Sequence, residues 1–311
     1  MRRRLTPTAQ SSERGFVIVA VLWILVALSA LAVIFSVYLS SSARALGATD
    51  IGVPTEALAS ASLELTAYQL LRTADEKERP AQGSFRFRMD NAEAFVSFTS
   101  EAARVDLNKA SKEMLSNLFE VLGAEQKAAS DIADRIVGWR TEAKPNASNQ
   151  EEALYLSSGL PYSPRQGPFA HVNELSLVLG VSPAMVERAL PFLTVYSKSA
   201  DVDVLLAPAE VVAAVPGMTP EVLNDFLKQR ASLPRDQKAI AAALGPAKAG
   251  ATLPEAKAFR VVTTIRFNNG RRTSTEAVIS LGEDKDREPY SVLSWQDQME
   301  SGTRSAKQAG R

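Results

Sequence analysis

The chain has 311 residues, with 35 basic and 35 acidic side chains and a formal net charge of zero. This balance gives no overall positive field of the kind that draws a protein to nucleic acid. Cysteine is absent and His171 is the single histidine, which excludes disulfides, thiol nucleophiles, cysteine zinc sites and histidine pairs. We expect His171 to be a solvated or locally hydrogen-bonded loop residue.

The N-terminal region combines a basic collar with a long apolar run. No charged residue occurs from Phe16 to Leu39, which is long enough to cross a bilayer as a helix and too long for a cleaved secretory signal. The arginines before this run are Arg2, Arg3, Arg4 and Arg14. Because basic residues are retained on the cytoplasmic side, we predict one span with a cytoplasmic N-terminus and an exported body.

An amphipathic helix is predicted next, from Thr55 to Thr73, after a break between Gly47 and Pro54. Its predicted buried face consists of Leu58, Ala61, Leu65, Tyr68 and Leu71.

Strand patterns occur both before and after a long helical block at about 105–250. The predicted strands are 85–89, 94–99, 259–267, 275–281 and 290–295. Isolated hairpins are marginal in water, so we predict that these strands form one antiparallel sheet on the amphipathic helix. The block between them is predicted to form a separate helical lobe.

The helical block contains a duplicated pattern. "DLNKASKEML" starts at Asp106 and "DVLLAPAEVV" starts at Asp203, and each leads through a glycine turn to a helix that ends in Arg140 or Arg230. Asn108 is predicted to be the N-cap of the first helix in the first copy.

Paired helices joined by glycine turns also suggest helix-hairpin-helix binding of DNA. However, the turns at Gly123 and Gly217 have one glycine each. The first is followed by Glu125 and Lys127 and the second by Glu221, so neither forms a basic patch. We therefore favour packing turns.

The sequence leaves three hypotheses for the function of the chain: a structural subunit, an exported DNA-uptake factor and a membrane-anchored enzyme. The third hypothesis lacks a visible nucleophile–base pair, phosphate loop or metal-ligand spacing.

Several segments together resemble a known family. The start "RGFVIVAVLWILVALSALA" and the block segments "VDLNKASKEML", "IADRIVGWR", "SPRQGPFAHVNEL", "LPFLTVYS" and "APAEVVAAVPGMTPEVL" are similar, in order and spacing, to minor pseudopilin K of the bacterial type II secretion system, or general secretion pathway protein K. The resemblance implies an α+β fold: a pilin-like N-terminal transmembrane and amphipathic helix packed on an antiparallel sheet, with a large all-helical domain inserted into the sheet. The implied divisions are a leader (1–15), a transmembrane helix (16–39), a pseudopilin helix and first hairpin (40–104), an inserted helical domain with two related repeats (105–257), C-terminal strands (258–297) and a disordered tail (298–311).

The resemblance also implies how the N-terminus is processed. Prepilin peptidase is expected to cut after Gly15, which makes Phe16 the N-methylated first residue of the mature protein. Ala20 then occupies the fifth position, where most pilin-like subunits carry a glutamate that pairs with a neighbour's terminal amine. This departure implies a place at the filament tip, where no subunit lies above.

The resemblance further implies a non-enzymatic tip subunit that helps nucleate the secretion pseudopilus in the bacterial inner membrane, with a periplasmic body. Its expected partners are other minor pseudopilins, prepilin peptidase and the inner-membrane secretion platform, and no nucleic acid. Some relatives suggest calcium after Arg140, but Glu151 and Glu152 alone form a weak set of oxygen ligands. We therefore predict no cofactor and no specific metal residue.

Overall fold

The computed structural model describes residues 13–73, 79–142, 150–248, 251–282 and 288–298. Most of the predicted leader, and the predicted tail beyond Gln298, lie outside these ranges. The chain divides into two compact units, residues 1–57 and 58–311, which are described separately.

The first unit contains the beginning of helix α1, Glu13–Leu71. Within α1, the 20 residues Val19–Tyr38 are apolar and long enough to cross a membrane, and their large apolar side chains are exposed. The predicted break between Gly47 and Pro54 is wrong, because these residues belong to α1. Proline removes only one backbone hydrogen bond from a helix, and the bonds on either side carry α1 past it.

The second unit contains a five-stranded antiparallel sheet. Its strands, named in order across the sheet, are β1 (Gln82–Met89), β2 (Ala92–Ser100), β7 (Ala258–Phe267), β8 (Arg272–Leu281) and β9 (Tyr290–Gln298), and the short strands β3 to β6 belong to the helical block. Strand β2 pairs with β7, so strands from before and after the helical block lie side by side. The prediction of one sheet interrupted by helices is confirmed.

The C-terminal part of α1 packs on one face of this sheet. The buried cluster there is formed by Leu63, Ala67, Leu70, Val96, Phe98, Phe259, Val261, Ala277, Ile279 and Leu281. Two residues of the predicted buried face lie on the other side of the helix, since Leu65 is 37% and Tyr68 63% exposed. Ser62 and Thr66 are buried instead, because their hydroxyls donate to the carbonyls one turn earlier, at 2.7 Å each, which satisfies these polar groups away from water.

The helical block has a hydrophobic core of its own. Its helices are α2 (Lys112–Val121), α3 (Gln126–Arg140), α4 (Gln150–Ser157), α5 (Pro183–Ala189), α6 (Ala209–Ala213), α7 (Pro220–Gln229) and α8 (Gln237–Leu244). Short parallel strand pairs join β3 (Val105–Asp106) to β4 (Leu193–Thr194) and β5 (Val202–Asp203) to β6 (Ala251–Thr252). That this block forms a separate helical lobe stays a prediction, and its core shares no buried residue with the core of the sheet.

Candidate functional site

The structure places the predicted processing residues at the start of α1. Gly15 and Phe16 lie among its first residues, and Ala20 is the second residue of the apolar segment Val19–Tyr38. Cleavage at Gly15, methylation of Phe16 and the tip role of Ala20 stay predictions.

Each repeat of the helical block is built around a buried aspartate. In the first repeat Asp106 is 1% exposed. Its Oδ1 accepts the N–H of Asn108 at 2.8 Å, and its Oδ2 accepts the hydroxyl of Ser197 at 3.0 Å and the N–H of Lys198 at 2.9 Å. Burial raises the pKa of Asp106, although these donors oppose the shift. The carboxyl group thus ties the beginning of the repeat to the segment that leaves it.

Arg140, at the end of α3, closes the first repeat. Its Nη1 donates to the carbonyl of Leu107 at 2.5 Å and its Nη2 to the carbonyl of Ala110 at 2.7 Å. Burial lowers the pKa of Arg140, and the nearby Asp106 carboxyl opposes this effect. The guanidinium group therefore satisfies two carbonyls of the turn between β3 and α2, which a shorter side chain at this position would leave unpaired.

The prediction that Asn108 caps the first helix is wrong. The N-cap of α2 is Ser111, whose Oγ accepts the N–H of Met114 at 3.1 Å. Asn108 instead bonds both backbone groups of Phe169: its Nδ2 donates to the carbonyl at 3.0 Å and its Oδ1 accepts the N–H at 2.7 Å. The helix begins later than predicted because the N–H groups of Lys109 and Ala110 first bond back to the carbonyl of Asp106.

The second repeat reproduces this arrangement with one different partner. Asp203 is 1% exposed, and its Oδ1 accepts the N–H of Leu205 at 3.1 Å. Its Oδ2 accepts a hydrogen bond from Nη2 of Arg235 at 2.7 Å. Arg230, at the end of the second helix of this repeat, donates from Nη1 to the carbonyl of Ala207 at 2.6 Å. The duplicated sequence pattern therefore forms the same hydrogen bonds twice. In each repeat a buried aspartate binds the N–H two residues later, and the arginine at the end of the second helix binds a carbonyl of the turn before the first helix.

Several amides of the glycine turns between the paired helices are already hydrogen-bonded within the chain. Gly123 and Gly217 have φ values of 94° and 78°, which glycine tolerates best. The N–H groups of Gly123 and Ala124 donate to carbonyls of α2 at 2.9 Å each, and the N–H of Met218 donates to a carbonyl three residues earlier at 3.0 Å. Gly123 ends α2, whereas Gly217 lies in a tight turn of residues 215–218 that follows the end of α6.

A buried ionic cluster joins the sheet to the helical block. Glu101, which is fully buried, accepts hydrogen bonds from Nε of Arg260 at 2.8 Å and from the hydroxyl of Thr194. Arg260 also pairs with Glu276 on the neighbouring strand. Burial alone would lower the pKa of Arg260, but the Glu101 and Glu276 carboxylates raise it. This cluster was not predicted, because Glu101 and Arg260 lie 159 residues apart in the sequence.

Within the described residues, no group of three His, Asp or Glu side chains is placed to hold a metal ion. The proposed calcium region includes residues 143–149, which lie outside the described ranges. Nearby, Glu151 pairs with Arg135 at 3.0 Å and Glu152 accepts the hydroxyl of Ser163 at 3.2 Å. His171 is locally hydrogen-bonded, as predicted: its Nδ1 accepts the N–H of Asn173 at 3.1 Å.

Comparison with known proteins connects this architecture to one family. Residues 91–198, which include β2 and the first repeat, match the family described as type II secretion system (T2SS), protein K. A type II secretion system protein K from Klebsiella pneumoniae is 24% identical over 205 residues, which cover 58% of this chain and 62% of that protein.

A solved structure shares the fold. A chain of the crystal structure of the GspK-GspI-GspJ complex from the enterotoxigenic Escherichia coli type 2 secretion system has a TM-score of 0.54 at 15% identity. The match covers 78% of this chain and 94% of that one. These comparisons support a type II secretion minor pseudopilin K: residues 91–198 and the Klebsiella protein carry the sequence similarity, and the solved structure shows the fold.

Proposed function

We propose that the chain is a non-enzymatic minor pseudopilin at the tip of the type II secretion pseudopilus. There it helps to nucleate the filament that exports folded periplasmic proteins across the outer membrane. The observation that carries this proposal is the match of residues 91–198 to protein K, which includes the buried closure around Asp106. Supporting observations are the apolar segment Val19–Tyr38 and the fold shared with a chain of the GspK-GspI-GspJ complex.

The proposed partners are two smaller minor pseudopilins equivalent to the companions in that complex. A body that binds them laterally needs a rigid framework, and the closed repeats supply one, since their turns are fixed by buried charged groups rather than by mobile loops. Prepilin peptidase and the inner-membrane secretion platform are proposed to act on the N-terminal segment. In this arrangement the N-terminus is cytoplasmic and the sheet and helical block are periplasmic.

Co-purification tests the proposed partners. The full chain, tagged at its C-terminus and extracted in mild detergent, should recover the other minor pseudopilins of the same cell in a fixed ratio. A matched control is the Asp106→Ala variant, which should lose partners only in proportion to its loss of folded protein. Recovery of prepilin peptidase alone, with no pseudopilin, would contradict the tip complex.

Mass spectrometry tests the proposed processing. Membrane-extracted protein should begin at N-methylated Phe16, because Gly15 and Phe16 straddle the boundary between the charged collar and the apolar segment. A chain that begins at Met1 in cells with active prepilin peptidase would defeat this part of the proposal.

The Ala20→Glu substitution tests the tip position. It places a carboxyl group in the apolar segment without a partner above it, at an expected cost of a few kcal/mol if the group is ionised. Filament initiation and secretion should fall while protein abundance stays normal. Ala20→Leu, which adds no charge, should secrete normally. Undiminished secretion by Ala20→Glu at native expression would count against the tip argument.

The DNA-uptake hypothesis is not favoured, because the N–H groups of Gly123, Ala124 and Met218 in the two turns already donate to backbone carbonyls. A gel shift over a salt series checks this conclusion, since phosphate-driven binding weakens steeply with salt. We expect no salt-sensitive shift with duplex DNA.

A further inference from the structure

One end of the five-stranded sheet carries a concentration of arginines. The five arginines are Arg86 and Arg88 on β1, Arg266 on β7, Arg271 in the following turn and Arg272 on β8. All five are exposed. The chain as a whole has no net charge, so this end of the sheet is a local accumulation of positive charge.

The strand register places most of this charge on one face. Arg88 is opposite Glu93, Glu93 is opposite Arg266, and Arg266 is opposite Arg272. These four residues therefore form one row across four neighbouring strands, which are spaced about 4.8 Å apart. Arg86 lies two residues along β1 from Arg88 and so projects from the same face.

The opposite face at this end is covered by the beginning of the packed part of α1. Leu58 forms a buried cluster with Ala92, Ala94 and Ile265, which alternate along the strands with the residues of the arginine row. The arginine end of the sheet is thus the end at which the chain enters the second unit.

Folding does not explain the arginines on the interior strands. Arg266 and Arg272 are directly opposite each other on two such strands, and like charges in such a pair are destabilising. Charged residues protect exposed sheet edges, which accounts for arginines on the edge strand β1 but not on β7 and β8. Within the described residues, none of the five arginines takes part in an ion pair. Among the described residues, the carboxylates at this end of the sheet are Glu93 in the row and Asp90 in the turn between β1 and β2, so positive charge exceeds negative charge.

Arg260 provides an internal comparison, because it lies on the same strand as Arg266 and projects from the same face. Its side chain is 16% exposed and is bound by Glu101 and Glu276. Six residues further along β7, Arg266 is exposed and has no such partners. The sheet therefore neutralises the arginine at the helical block and leaves those at the opposite end open to an external anion.

The connection to the membrane segment favours one kind of anion. Only residues 39–57 separate the apolar segment, which ends at Tyr38, from Leu58. A chain of this length spans at most about 70 Å even when fully extended, so the sheet stays tethered to a bilayer that holds Val19–Tyr38. Nucleic acid has no comparable tether to this surface.

We propose that the arginine end of the sheet binds the phosphate headgroups of anionic phospholipids in the bilayer that holds Val19–Tyr38. Guanidinium groups bind phosphate oxygens in a bidentate geometry. Each basic residue near an anionic surface strengthens binding roughly fivefold, and the attraction decays over about 8 Å at physiological salt. This inference rests on the proposed membrane anchoring and is independent of the tip role.

Site-specific fluorescence in proteoliposomes tests the proposal with the full chain. Since the natural sequence has no cysteine, an Asn91→Cys variant can carry one fluorophore in the turn between β1 and β2. A Gln82→Cys variant carries the same label at the other end of β1 and is the matched control. Vesicles of phosphatidylcholine, with or without phosphatidylglycerol, contain a constant fraction of a lipid with a nitroxide quencher on its headgroup.

Quenching at Asn91→Cys should increase several-fold when phosphatidylglycerol is present and should return to the neutral-vesicle level at about 1 M salt, where the Debye length is ~3 Å. The Gln82→Cys label should respond little to lipid charge. Replacement of all five arginines by glutamine should abolish the increase, whereas replacement by lysine should retain most of it. Equal quenching in neutral and anionic vesicles, or an unchanged response of the glutamine variant, would overturn the proposal.

Two further measurements keep these outcomes separate. The double variant Arg266→Gln/Arg272→Gln removes a repulsive pair, so it should fold at least as well as the parent and still lose a large part of the quenching. Flotation of all variants with neutral vesicles measures membrane anchoring through Val19–Tyr38 alone. Variants that do not float would refute membrane anchoring rather than the arginine site. Capture of duplex DNA at physiological salt with no response to lipid charge would overturn the lipid proposal.

Discussion

The two repeats of the helical block close by the same backbone pattern but neutralise their buried aspartates differently. In the first repeat three hydrogen-bond donors surround Asp106. In the second repeat one backbone donor and Arg235 bind Asp203. The arginine at the end of the second helix is common to both, with two bonds from Arg140 and one from Arg230. The bond from each aspartate to the backbone N–H two residues later is therefore common to both repeats. The second partner of the aspartate differs between them.

The largest expected difference between the repeats concerns the aspartates. Asp106→Ala leaves two backbone N–H groups and one hydroxyl without an acceptor, which should lower the free energy of unfolding by about 3 kcal/mol or more. Asp203→Ala should cost only about 1–2 kcal/mol, because the side chain of Arg235 is 43% exposed and can bind water. Urea unfolding of the detergent-solubilised chain, followed by the fluorescence of the buried Trp139, measures both. Equal losses would refute the distinction.

The closing arginines should differ by less. Arg140→Ala removes two charge-assisted bonds and should cost about 3 kcal/mol, whereas Arg230→Ala removes one and should cost about 1.5 kcal/mol. The same unfolding experiment applies. Lysine at either position serves as the control, because one ammonium group can replace the single bond of Arg230 better than the two divergent bonds of Arg140. A larger loss of unfolding free energy for Arg230→Ala than for Arg140→Ala would contradict this expected order.

Asn108→Leu introduces the residue of the second repeat into the first. It removes both hydrogen bonds to the backbone of Phe169 and should cost about 2 kcal/mol. The amide of Phe169 should then exchange its hydrogen faster, as measured by mass spectrometry. Asn108→Asp keeps an acceptor for this amide and should be intermediate, and unchanged exchange in the leucine variant would contradict the assigned role.

The smallest expected effect concerns the helix caps. Ser111→Ala should lower the free energy of unfolding by about 1 kcal/mol. At the equivalent position Pro208 forms no side-chain cap on α6, so Pro208→Ser should raise the free energy of unfolding by a few tenths of a kcal/mol to about 1 kcal/mol. Thermal unfolding followed by circular dichroism has the required precision. A destabilised Pro208→Ser variant would show that the fixed φ of proline matters more than the missing cap.

Local patterns predicted the strands well and the helix details less well. Alternation identified all five strands of the sheet because one face is buried and the period of two is unambiguous. Helical periodicity predicted the buried face of α1 less well, because Ser62 and Thr66 are polar but are buried there with their hydroxyls bonded to the carbonyls one turn earlier. Asn108 was assigned as the N-cap because asparagine favours that position, whereas a turn displaced the start of the helix to Lys112.

Long-range features could not be predicted from one sequence. The duplication drew attention to Arg140 and Arg230, but not to the carbonyls that they bind. No local sequence pattern predicts that Glu101 pairs with Arg260, because each looks like an ordinary surface charge in or beside a strand. The arginine row is visible only once the register aligns Arg88, Arg266 and Arg272 across the sheet.

Ser100 and Phe259 are cross-strand partners, and the whole helical block lies between them in the chain. In the topology of the sheet, the block is one very long loop between the paired strands β2 and β7. The entropic cost of closing a loop grows only slowly with its length. Tension applied along β2 passes directly to β7 through the hydrogen bonds of the strand pair. The direct path of tension between β2 and β7 therefore runs through the strand pair and bypasses the chain of the helical block, which remains attached to the sheet through Glu101.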